Sequence, residues 1–294
     1  MQELTIERDQ SAQPHEGKTF VAVHAHLADL PRLAGGLCAK LMAEGYTGYL
    51  VRTTNDETSG GQSSAQNILS NETEHANMAK ALGFKDVFEF YYLSHRMNEI
   101  SPVELRGRLV LLFRMLRADT VLSFSPSAEG ESDSDHWITG RAVEEACWTA
   151  GLANDFHEHL EAGIQPHAVR ERYHFHARPG QPFNRVVDIG KYVGKKIDAI
   201  VECRSQGNGN AGSLLRARLA AQGKRLPLLG DDDRTADRAY ARQFLLEEFR
   251  AYANGHDFEY AERFQYAGPP ADEDRAVQDY VAKNARLLEG PAAP

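Results

Sequence analysis

His26 and Asp29 stand three residues apart, just beyond the β-branched and aromatic run TFVAVHA at 19–25. Far along the chain, the acidic stretch 126–136 holds Glu129, Glu131, Asp133, Asp135 and His136. Two imidazoles and one carboxylate, with a position left open for water, are what a catalytic zinc ion requires. His26, Asp29 and His136 can supply that set. Spacing alone does not separate this from a plainer reading, in which His26 caps a strand end and the acidic loop is solvated. Around them lie further candidates with two readings each. Asn55 and Glu57 either touch a substrate or form a polar turn. Arg96, in His95-Arg96-Met97-Asn98, either holds an anionic or hydroxyl-rich substrate or makes a surface ion pair. Gln206 either closes over a substrate or belongs to a helix end capped by Gly207. His24 reads as a core histidine, and the H-x-H pairs at 157/159 and 174/176 read as surface. No G-x-G-x-x-G follows the first strand, and neither a G-x-S-x-G elbow nor a Walker loop occurs. Cys38, Cys147 and Cys203 have apolar neighbours, which disfavours a thiol nucleophile.

The elements that must carry these residues alternate. Runs at 19–25, 47–53, 87–93 and 120–125 have strand composition. Between them, 33–45, 71–82 and 102–116 have helical spacing, with Leu105, Leu109, Leu112 and Leu116 on one side of the last. A helix follows near 136–150, then a strand at 185–189 and helices at 191–203 and 236–252. This pattern predicts an α/β fold, a Rossmann-like, mostly parallel sheet with helices on both faces and a helical C-terminal elaboration. In such sheets ligands bind outside the carboxyl ends of the strands. That rule selects the loops 26–31, 54–70, 95–100 and 126–136, where the candidates lie. We expect an N-terminal arm at 1–17, one domain over 18–267 and a flexible tail over 268–294.

The chain has 294 residues, with 33 Lys+Arg against 42 Asp+Glu and a formal net charge of −9. That balance argues against nucleic-acid binding. No apolar run approaches the roughly 20 residues of a membrane helix, and MQELTIERDQ lacks a signal-peptide core. Three cysteines make no disulfide framework and suit a reducing cytoplasm.

Several short segments together resemble one family. Ala25-His26-Leu27-Ala28-Asp29 followed by Gly35-Gly36 is similar to an A-H-P-D-D opening with a Gly-Gly helix. Thr53-Thr54-Asn55-Asp56-Glu57 resembles T-(D/N)-G-E, and Asn71 through Glu74 to Gly83 resembles R-x-x-E … L-G. Asp133-Ser134-Asp135-His136 resembles H-x-D-H, and Lys196 through Arg204-Ser205-Gln206 resembles K … H-x-S-Q. These are, in order, motifs of the PIG-L (LmbE-like) metal-dependent N-deacetylases. The resemblance implies Zn²⁺, or another divalent transition metal, on His26, Asp29 and His136, with Asp135 orienting a neighbouring histidine. It implies a small N-acylated, sugar-like substrate met by Asn55, Glu57, Asn71, Arg96, Glu131 and Gln206, and copies that assemble into a homo-oligomer.

The departures bear on catalysis. Ala28 stands where the family has its general-base aspartate, and a methyl group cannot take a proton. Zinc lowers the pKa of water to about 7 unaided, but a lost base costs on the order of 10²–10⁴ in rate. Asp133, Asn71 and Cys203 replace a histidine, an arginine and a histidine of the motifs. Either Ala28 is an Asp→Ala change that silences an enzyme, as the intact metal triad suggests, or the chain naturally lacks that base. In the second case it is a pseudoenzyme or uses Glu131 or Asp133 instead. The expected function is a metal-dependent N-deacetylase, nearly inactive as written. The alternatives are a non-catalytic metal or ligand binder on the same fold and a Rossmann-type nucleotide binder without metal.

Overall fold

A computed structural model describes residues 4–10, 12–269 and 273–286. The strands are β1 (Thr5–Glu7), β2 (Thr19–His24), β3 (Thr47–Thr54), β4 (Asp86–Tyr92), β5 (Thr120–Ser123), β6 (Glu171–Phe175), β7 (Arg185–Asp188) and β8 (Ala261–Ala267). Among the described residues these eight form one sheet in the order β1-β7-β8-β6-β5-β2-β3-β4. Neighbours are parallel, except that β8 runs antiparallel to both β6 and β7. The helices are α1 (Asp29–Leu33), α2 (Gly35–Ala43), α3 (Ser64–Leu82), α4 (Pro102–Leu116), α5 (Ser134–Ala150), α6 (Glu158–Glu161), α7 (Val193–Glu202), α8 (Ala211–Ala221), α9 (Asp233–Tyr240), α10 (Glu247–Tyr252) and α11 (Glu273–Asn284).

Strand β2 is buried on both faces because alternate residues point to opposite sides. Phe20 and Ala22 pack with Leu37, Leu41, Leu82 and Ile197. Val21 and Val23 pack with Leu109, Phe113, Val143 and Cys147. The chain leaves β2 toward β3 and β4, then returns to place β5 on the other side of β2. The order reverses there, so the loops after β2 and β5 diverge and open a crevice. His26 and Asp29 follow β2; the acidic loop and α5 follow β5.

Gly140 lets α5 sit directly on the end of β5. A Cβ there would meet Ser125 O at 2.5 Å and Phe124 O at 2.6 Å. Both are backbone atoms that cannot rotate away. We expect G140A to lower stability by about 1–3 kcal/mol and to weaken metal binding by displacing His136. Urea unfolding and metal titration would test this; unchanged values in both would contradict the packing account.

Several elements differ from the sequence reading. Helix α3 starts at Ser64 rather than near 71, because Gln66 Oε1 accepts the Ser63 N–H (3.3 Å) and hydroxyl (2.8 Å), a capping pattern at the helix start. The expected helix over 236–252 breaks into α9, a π turn at Ala241–Leu245 and α10. Strands β6 and β8 and helix α8 are additions to that reading, so the C-terminal part supplies a central strand as well as helices. The N-terminal segment contributes the edge strand β1 beside β7. Within the expected tail, 273–284 is helical, with exposed side chains from 277 on; residues 270–272 and 287–294 lie outside the described residues.

Candidate active site

The turn from β2 into α1 is closed by its own acid. The Asp29 N–H donates to His26 O (3.2 Å), and Asp29 Oδ2 accepts the His26 N–H (2.6 Å). This places Asp29 Oδ2 3.5 Å from His26 Nδ1. From the other loop, His136 stacks on Phe124 with ring centroids 4.0 Å apart and a 9° interplanar angle. Its Nε2 lies 3.3 Å from His26 Nδ1 and 3.5 Å from Asp29 Oδ1. Donors about 2.1 Å from a tetrahedral ion are about 3.4 Å from one another. The His26–His136 edge matches that spacing, and the Asp29 carboxylate meets each imidazole at 3.5 Å through a different oxygen, Oδ2 toward His26 and Oδ1 toward His136, so the donor set fits a divalent transition metal.

The outer ring nitrogens are held as well. His26 Nε2 is 3.2 Å from Asp135 Oδ2, and His136 Nδ1 is 3.1 Å from Glu131 Oε2. With those nitrogens donating, the lone pairs of His26 Nδ1 and His136 Nε2 face the triangle, as metal-ligating histidines require. The carboxylates are fixed in turn. Asp135 accepts the N–H groups of His95 (2.5 Å) and Met97 (3.3 Å). Glu131 accepts the Arg178 fork at 3.0 and 2.9 Å and the Asp133 N–H at 3.0 Å. Asp133 forms a cluster with the two imidazoles: His26, Asp133 and His136 each offer an atom within 4.8 Å of the others.

Concentrated charge shapes the protonation. Burial would lower the His26 pKa, but hydrogen bonds to Asp135 and Asp29 carry it well above the ordinary 6.5. His136 is raised too, burial being outweighed by Asp29 and Asp133. Burial opposes ionisation of Asp29, yet His136 and His26 hold it well below the usual carboxylate range. A metal must therefore displace protons from these imidazoles. Apparent metal affinity is expected to rise with pH above 6.5, about tenfold per unit for each proton displaced, and then to level off. Chelator-competition titrations at stepped pH would show this; an affinity independent of pH would contradict it.

Beneath the cradle lies a buried polar chain that sequence reasoning missed. His24 Nδ1 is 2.7 Å from His26 O, and its Nε2 is 2.8 Å from His75 Nε2. His75 Nδ1 meets Glu89 (2.6 Å), which also accepts Arg52 Nε (2.8 Å). Arg52 Nη1 lies 3.4 Å from Asp56 Oδ2, which accepts the Leu27 N–H at 2.6 Å. Burial pushes the Asp56 carboxyl up to about 6, with His26 and Arg52 opposing. Nothing in the local sequence signals this chain, because its members come from β2, β3, α3 and β4 and the loop after β3.

Other candidates take various places. Ala28, 7% exposed, lines a cavity of about 210 Å³ with Asp29, Arg32, His136, Arg178 and Gln206. Gln206 accepts the Ala28 N–H (3.1 Å) and donates to Asp56 Oδ1 (3.3 Å) and Ser59 Oγ (3.1 Å). Glu131, expected to meet substrate, instead sits behind His136. Asn55 accepts the Glu57 N–H (3.2 Å), and Glu57 accepts the Ser94 N–H (3.0 Å). Asn71 is fully buried, donating to Asp56 O (2.8 Å) and accepting from Ser205 Oγ (2.5 Å). Arg96 is exposed and pairs with Glu99 at 2.5 Å. The structure brings neither Asn71 nor Arg96 to the cavity beside the cradle.

Sheet, crevice and donor triangle together define a Rossmann-like α/β protein with a candidate metal centre at its topological switch point. Residues 21–147 match the PIG-L family model, described as GlcNAc-PI de-N-acetylase. The structure is similar to N,N'-diacetylchitobiose deacetylase from Pyrococcus horikoshii in complex with its inhibitor, with TM-score 0.67 and 21% identity over 85% of this chain and 84% of that one. It is similar to a conserved protein from Thermus thermophilus, with TM-score 0.60 and 19% identity over 85% and 95% of the two chains. It also resembles GalB, the 4-carboxy-2-hydroxymuconate hydratase from Pseudomonas putida, with TM-score 0.60 and 20% identity over 87% and 98%. At these identities the likeness is one of fold.

Proposed function

We propose that the protein is a metal-dependent hydrolase of the N-deacetylase type, built for an N-acylated amino sugar or related small conjugate and lacking its general base. The family match and the deacetylase neighbour support the reaction class. The observation that carries the reading is the pair of imidazole nitrogens 3.3 Å apart at the switch point, each 3.5 Å from one oxygen of the Asp29 carboxylate. His26, Asp29 and His136 would hold Zn²⁺ or a similar ion, which when bound supplies Lewis-acid polarisation of an acyl carbonyl and a lowered pKa for water. Asp135 and Glu131 keep the imidazoles aimed inward. The cavity beside Ala28 has room for a small amide, with Arg178 and Gln206 on its walls. Ala28 itself offers no acceptor for a proton.

Ala28 also favours a second reading, a member that binds metal without turnover. The free, buried cysteines Cys38, Cys147 and Cys203 support a reducing, cytoplasmic setting. Among the described residues, no helix is long and apolar enough to cross a membrane. Elemental analysis of the purified protein, with H26A and H136A as controls, tests the metal. We expect one equivalent on the parent and loss on both variants. A parent with no divalent metal after incubation with zinc would end the reading. Acetate release from a panel of N-acetyl sugars tests the reaction.

A further inference from the structure

The geometry points to Asp133 as a fourth protein ligand, which closes the metal site of this chain. This inference rests on the reading that His26, Asp29 and His136 hold a divalent ion. Asp133 is the N-cap of α5, and its Oδ1 accepts the Asp135 N–H at 3.0 Å. That bond anchors the carboxylate and leaves Oδ2 spare. Oδ2 lies 3.7 Å from His136 Nε2 and 4.0 Å from His26 Nδ1, the two nitrogens that complete the triangle with Asp29. Among the described residues Asp133 pairs with no lysine or arginine, and the Arg178 fork is taken by Glu131.

Ligand atoms around one tetrahedral ion are about 3.4 Å apart. A base reaching the ion only through a water stands about 4 Å from it, one shell further out than a ligand. The observed 3.7 and 4.0 Å lie within about 0.6 Å of the ligand spacing. Two carboxylates also balance the charge of a divalent ion, where one leaves it positive. Structural zinc sites have four protein ligands; catalytic ones keep a position open. Position 28 lacks a carboxylate and position 133 has one, so the two departures from the deacetylase motifs become one change: a closed, neutral centre has no use for a base.

The test compares Zn²⁺ affinity, by chelator competition, and the visible spectrum of the Co²⁺ form for the full-length parent and D133N. Asparagine keeps the helix cap and the side-chain volume; D133S, which also caps, replaces it if D133N fails to fold. We expect affinity to drop at least about tenfold and the Co²⁺ spectrum to change as a ligand is lost. Equal affinity, or weaker affinity with an unchanged spectrum, would overturn the fourth ligand while leaving the three-ligand site intact. A parent that binds neither ion would overturn both.

Discussion

Replacing Ala28 by aspartate is expected to raise amide hydrolysis by about 10²–10⁴, the range over which a positioned general base acts. The position is suitable. Ala28 faces the same cavity as Asp29 and His136, and its N–H is already held by Gln206. A carboxylate there would meet water beside the cradle. With Asp133 as a fourth ligand, the gain from A28D alone should lie near the lower end of that range. A28D/D133N, which removes the fourth ligand's charge, should approach the upper end. Acetate release from N-acetyl sugars, compared as kcat/KM for metal-loaded parent, single and double variants, gives the answer. If both variants load metal and neither exceeds the parent on any substrate tried, the hydrolase reading fails and metal binding without turnover remains.

The largest stability effect is expected at Lys196. Its ammonium is fully buried, 2.7 Å from Glu262 Oε1, and it also donates to Arg32 O at the end of α1. Glu262 accepts the Gly36 and Leu37 N–H groups, each at 2.8 Å. One ion pair thus joins the carbonyl end of α1, the amino end of α2, helix α7 and strand β8. Burial lowers the Lys196 pKa while Glu262 opposes it. Removing one partner leaves a buried charge without its counterion, which costs about 3–5 kcal/mol. K196A should therefore melt roughly 10 °C lower in a chain of this size. K196M/E262Q should recover most of the loss, since a buried pair replaced as a unit is often nearly neutral. Chemical unfolding of the parent, K196M, E262Q and K196M/E262Q closes the cycle; additive losses in the double variant would show that the pair is not coupled.

The parts of the fold legible in the sequence were those whose burial is continuous. Strands β2, β3 and β5 are nearly uninterrupted apolar or β-branched runs, and α4 shows its leucines on one side. Strands β6 and β8 were hidden by their composition. In ERYHF, Tyr173 and Phe175 are buried, but Arg172 and His174 interrupt the run and are held by Glu144. In AERFQYA, Glu262 is buried by partners that only the folded chain supplies. The strand-end rule picked the loops that bring His26, Asp29 and His136 together, because a parallel sheet fixes where those loops emerge. It could not show that Glu131 would turn toward His136 Nδ1 and Arg178. Nor could it show that Asn71 would be consumed by Asp56 O and Ser205. Those outcomes depend on pairings between distant segments.

Strand β8 has a bearing on how the protein is made. It lies between β6 and β7, and its Glu262 secures the helices that follow the first half of the site. During synthesis, residues 19–150 leave the ribosome long before the strand that fastens them. Until β8 arrives, β7 and β1 have no route into the sheet, and the amino end of α2 and Lys196 lack their acid. The amino-terminal half would then wait in an incomplete state, exposed to chaperones and proteases, and a fragment ending before residue 261 should be recovered as aggregate rather than as a smaller folded protein.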